Sequence, residues 1–112
     1  MWTHDGYFEI PASERKDADA YQREHFTTDS DTFSLRIGRM ESTREAQILG
    51  PAKMRIFEGR LPLTVRGVEL ELSDGWTLWA RPKGTHGQFK RYAIGRPAKN
   101  PHHWFVMLEA PK

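Results

Sequence analysis

The sequence predicts a mainly β fold, an antiparallel barrel or small sandwich of roughly six to eight short strands. One or two short helices are expected in the N-terminal half, and an α+β arrangement follows if those helices are substantial. Three observations carry this. Apolar and polar residues alternate in several short runs, as strands with one buried face do. Turn residues punctuate those runs at close intervals: Gly50-Pro51, Asp74-Gly75 and "KGTHG". The 112 residues contain no repeat and no long linker, so residues 1–112 are read as a single domain.

Along the chain, "YFEI" (7–10) reads as a short strand that stops at Pro11. Ser13 is placed to cap a helix over "ERKDADAYQREHF", where helix formers abound but the apolar stripe is thin, so a surface helix and an ordered loop fit equally. "TTDSDT" is turn chemistry. "TFSLRIGRM" alternates cleanly, with Phe33, Leu35 and Ile37 on one face and Ser34, Arg36 and Gly38 on the other. "ESTREAQIL" (41–49) predicts one or two helical turns ended by Gly50-Pro51, and "KMRIF" a strand after it. "LPLTVRG" and "VELEL" alternate again, with Leu61, Leu63, Val65, Val68, Leu70 and Leu72 facing inward. Asp74-Gly75 signals a hairpin into "WTLWARP", whose Trp76, Leu78 and Ala80 form the core set and Thr77, Trp79 and Arg81 the outer set. "QFKRYAIG" and "HHWFVMLEA" supply the last strands, separated by "GRPAKNP", the longest irregular piece of this half.

Composition narrows the function classes. Four Trp, six Phe and three Tyr suffice for a core. The chain lacks cysteine, which removes disulfides, thiolate metal sites and cysteine nucleophiles. No apolar run approaches the ~18–20 residues of a membrane span, and the N-terminus has no leader-like apolar core. A cytoplasmic protein without membrane contact is therefore expected. The net charge is only +2 but is unevenly spread. Residues 1–49 hold six bases and ten acids, whereas from residue 75 onward there are seven bases and one acid. An electropositive half of this kind suits an acidic partner.

No catalytic, nucleotide-binding or metalloprotease motif occurs. Asp29 and Asp31 in "TDSDT" begin like a calcium loop, but the required Gly and Glu are missing. His102 and His103 are adjacent, so on a strand they face opposite sides and do not share a metal ion. No cofactor, metal site or catalytic residue is predicted. "KRYAIGR" partly matches the octamer of an RNA-recognition motif at Lys90, Tyr92 and Ala93. It departs where the motif needs its glycine and its later aromatics, and the thin early helices do not fit that fold. The motif is therefore rejected.

What remains is a basic, aromatic C-terminal sheet face. Trp79, Arg81, Lys90 and Tyr92 are expected to come together on paired strands, with Arg91 and Lys83 nearby. Arg96, Lys99 and His102 project from the following loop. Trp, Tyr and Arg are the residue types that dominate binding energy at protein interfaces. The expectation is a small non-catalytic protein-binding module, an inhibitor, immunity-type or accessory protein, docking on an acidic surface. The alternative is a single-stranded nucleic-acid-binding domain, in which Trp79 and Tyr92 stack bases and the cations meet phosphate. Acids in the first half and a modest net charge favour the protein partner. A lower alternative is a small enzyme whose barrel pocket uses His86, His102 or His103 as base. Exposed strand edges leave homodimerisation open.

Overall fold

A computed structural model describes residues 1–11, 27, 29–39 and 54–111. Eight strands appear in chain order: β1 (His4–Glu9), β2 (Phe33–Arg39), β3 (Met54–Leu61), β4 (Thr64–Val65), β5 (Val68–Glu69), β6 (Thr77–Pro82), β7 (Lys90–Lys99) and β8 (Trp104–Pro111). The described residues contain no helix, and the two segments expected to be helical lie outside them. The mainly β architecture and the barrel are as the alternation predicts.

Six of the strands close an antiparallel barrel in the order β1-β2-β3-β8-β7-β6, and β4 pairs with β5 in a separate hairpin. β6 returns to lie beside β1, so β6-β1-β2-β3 form a Greek key. Closure pairs each of the six barrel strands with a neighbour on both sides.

The period-2 alternation decides what fills the interior. Phe8, Phe33, Leu35, Leu61, Leu78, Ala80, Tyr92, Ile94, Trp104, Val106 and Leu108 are all buried. Phe8 packs on Phe33 and Trp76 with centroids 5.0 and 5.4 Å apart, and Phe57 meets Tyr92 edge-on at 5.8 Å. Where the strands crowd most, glycine replaces a side chain. A Cβ on Gly6 would lie 2.7 Å from the Trp79 carbonyl oxygen and 2.8 Å from Leu35 Cδ2.

The β4–β5 hairpin turns at Arg66-Gly67, both with positive φ (48° and 82°), the geometry whose twist matches paired strands. Its Val65, together with Leu70, Leu72 and Trp76, is buried with the barrel core. Arg66 ties it to the start of β2 by donating to the Asp31 carbonyl (2.6 Å) and pairing with the Asp31 carboxylate. Trp104 Nε1 donates to Leu70 O at 3.1 Å from the other side. Asp74-Gly75, expected to form a hairpin, joins β5 to β6, which do not pair with each other. The Asp74 carboxylate instead accepts from Arg96 N at 2.9 Å. That bond secures a register shift between Gly95 and Ala98, where Arg96 takes φ 49°.

Candidate functional site

The nine residues expected to form one contact surface are divided by the fold. β7 is ten residues long, so its two ends stand ~30 Å apart at ~3.3 Å per residue. Lys90 lies exposed at one end and Lys99 at the other.

Tyr92 is the clearest correction. It is only 6 % exposed, opposes Leu78 across the strands and points into the barrel with Ile94. Burial pushes its phenol above the ordinary range. The strand as a sequence carries an aromatic and a cation on each face, so alternation alone does not orient it. The core set of β6 does, by pairing Leu78 with Tyr92.

The "GRPAKNP" segment is mostly strand, not loop. β7 runs to Lys99, and Pro97, which has no N–H to give, sits within the register shift. Asn100 then closes the turn, its side-chain oxygen accepting from the backbone N–H of His102 (2.8 Å) and His103 (2.9 Å). His102 is exposed on this turn. Lys99 reaches over the Trp104 ring and towards Glu69 at 3.5 Å. Lys83, at the opposite end of the barrel, is held by Asp5 (2.6 Å) and Ser34 (2.7 Å). His86 lies on the exposed β6–β7 turn, so the three histidines considered as bases do not converge on the filled interior. Among the described residues, no group of three or more His, Asp or Glu could hold a metal ion.

Trp79, Arg81 and Arg91 do come together. Outward-facing Tyr7, Trp79 and Arg91 are direct cross-strand neighbours on β1, β6 and β7. The Tyr7 and Trp79 rings lie nearly parallel (9°) with centroids 6.4 Å apart, and Phe89 meets Tyr7 edge-on at 5.1 Å. Arg81 lies 4.2 Å over the Phe89 ring and donates to Gly87 O at 3.0 Å, so its position is fixed. Trp79 Nε1 donates to Glu9 at 3.3 Å. Desolvation first, then the charges of Asp29 and Glu9, raise the Tyr7 phenol and keep it protonated. Arg91 is exposed and makes no ion pair among the described residues. The sequence did not mark Tyr7 as part of this face, because its neighbour Trp79 is distant in the chain.

A second feature lies across the barrel. Arg36, Gly38 and Arg39 of β2, with Glu58 and Arg60 of β3, line a half-open cleft of about 340 Å³. The alternation of "FSLRIGR" turned Arg36 outward, but its neighbour on β3 could only be known from the register.

Compared with protein-family models, with curated proteins and with solved structures, the chain matches none.

Proposed function

We propose that the protein is a small non-catalytic binding module that docks on an acidic protein surface through the outer face of β1, β6 and β7. The observation that carries this reading is the register Tyr7–Trp79–Arg91. It sets side by side the three residue types richest in interface hot spots. The rings are pre-organised by mutual packing, which lowers the ordering cost of binding. Arg81 adds a cation of fixed position at the edge of the patch, and Arg91 contributes a charge that a carboxylate on the partner would meet. The single-stranded nucleic-acid reading retains Trp79, Arg81 and Arg91 but loses Tyr92, whose ring is inside the barrel.

The test is affinity capture from nuclease-treated extract with the tagged protein, followed by titration of the purified partner. Trp79→Ala should weaken that complex by about 2 kcal/mol or more, about thirtyfold in Kd. Arg91→Ala should reduce the association rate and its sensitivity to salt. Capture of nucleic acid alone, or equal affinity for wild type and Trp79→Ala, refutes the reading.

A further inference from the structure

The arginine cleft on β2 and β3 stands on the opposite wall from the Tyr7–Trp79–Arg91 face and is independent of it. Its starting observation is electrostatic. Arg36 and Arg60 are direct cross-strand partners. Like charges in that position repel across side chains whose Cβ atoms are ~5 Å apart, and sheets normally avoid the pairing. Arg39 borders the cleft at the end of β2, but it pairs with Phe57, so alternation turns its side chain to the other face of the sheet. Among the described residues neither Arg36 nor Arg60 makes an ion pair. Glu58 is, among the described residues, the one carboxylate that lines the cleft, and it stands opposite Gly38. Among the described residues, the two guanidiniums and the carboxylate leave a formal charge of +1 around a concave space.

The second observation is shape. Gly38 puts no side chain into the cleft, and a Cβ built there would meet nothing within 4 Å. Arg60 is steadied on its β8 side, its guanidinium 5.5 Å from the centre of the ring of Phe105, its partner on that strand. One arginine is thereby positioned, and space is left between it and Arg36. A cleft of about 340 Å³ is at the small end of ligand sites, room for a single small molecule.

From these we infer that the cleft binds the phosphate monoester of a small hydroxylated molecule. A monoester carries about −1.5 to −2 charge at neutral pH, opposite in sign to the net positive lining. Its oxygens suit the planar forks of Arg36 and Arg60, and binding relieves the repulsion between them. Glu58 is an acceptor and would oppose a bare anion. Beside a phosphate already held by the arginines, it accepts from a hydroxyl on the scaffold and so selects against inorganic phosphate.

The test uses calorimetric titration of the full chain at low salt with four probes: ribose 5-phosphate, inorganic phosphate, ribose, and a short single-stranded oligonucleotide. Ribose 5-phosphate should bind at one site, inorganic phosphate more weakly, and ribose not at all. Arg36→Gln and Arg60→Gln should each weaken ribose 5-phosphate by about tenfold or more. Glu58→Gln should tighten inorganic phosphate and erase the advantage of the sugar. Thermal unfolding provides the control for folding: without ligand, Arg36→Gln should melt no lower than wild type, because it removes a like-charge neighbour. With ribose 5-phosphate at equal concentration, the wild type should gain more melting temperature than either arginine variant. The proposal is overturned if ribose 5-phosphate does not bind, if the arginine variants bind it unchanged, or if the oligonucleotide binds the cleft and ribose 5-phosphate does not displace it. Arg36→Gln and Arg60→Gln leave the partner face intact, so failure here is separable from failure of the docking surface.

Discussion

Gly6→Ala is a one-carbon change whose cost follows from where β1 meets β6. Gly6 opposes Phe33 on one side and Ala80 on the other, with its Cα hydrogens facing the core. An added methyl would sit 2.7 Å from the Trp79 carbonyl oxygen, 2.8 Å from Leu35 Cδ2 and 3.3 Å from Leu78 Cδ1. Comfortable carbon contacts are ~3.5–4.0 Å, so the first two overlap by roughly 0.7 Å or more. Leu35 and Leu78 are fully buried and have no room to swing away. The Trp79 oxygen belongs to the β6 backbone and can retreat only by loosening the pairing that closes the barrel. Overpacking of this kind costs about 1–3 kcal/mol, offset by about 0.4–1 kcal/mol from the lower chain entropy of alanine in the unfolded state. The net loss of about 1–2 kcal/mol should lower Tm by about 5–10 °C in a domain of this size. Thermal and urea unfolding monitored by tryptophan fluorescence measure it. Gly38→Ala is the matched control, because its methyl enters open space. It should leave stability unchanged or raise it by up to about 1 kcal/mol. A Gly6→Ala protein as stable as wild type, or a Gly38→Ala protein that falls equally, would refute the reasoning.

Two further outcomes follow from buried titratable groups. Tyr92→Phe should change stability by less than about 1 kcal/mol, because no hydrogen bond of the hydroxyl to a described residue is present to be lost. It should also leave partner affinity where it was, and a loss of affinity equal to that of Trp79→Ala would return Tyr92 to the contact surface. His4, on β1, has its pKa lowered, burial outweighing the opposing pull of Asp5. The folded state therefore binds fewer protons than the unfolded chain below the ordinary histidine value of about 6.5. The stability contributed by neutral His4 should be complete above that pH and decline as pH falls through the window beneath it. His4→Gln should flatten that part of the curve, and an identical pH dependence in the variant would show that another group is responsible.

How much of this was legible in the sequence depended on whether a signal was local. The inward sets of β2 and β6 could be read directly, because Phe33, Leu35, Trp76, Leu78 and Ala80 each follow a clean period of two. β7 could not, because Phe89, Tyr92 and Ile94 mix with Lys90 and Arg91, and only pairing with β6 orients them. Asp74-Gly75 announced a turn correctly but not which strands it would join. The true two-residue hairpin uses Arg66, a residue type that seldom accepts positive φ. Both candidate sites are products of register. Nothing in "FSLRIGR" and "MRIFEGRL" says that Arg36 will stand opposite Arg60, or in "HDGYFE" that Tyr7 will lie against Trp79. The charge asymmetry drew attention to the C-terminal half, yet the cations gathered in the cleft come from β2 and β3.

The joining of β1 to β6 has a kinetic consequence. Glu9 and Trp79, linked by a hydrogen bond, are 70 residues apart in the chain. Contacts of such long range are entropically expensive to form early and belong to slowly folding β topologies, on the millisecond-to-second scale. The Tyr7–Trp79–Arg91 row therefore does not exist in any partly folded chain whose first strand has yet to dock. A partner that recognised it would bind only molecules in which β1 has docked on β6, and would selectively slow their unfolding.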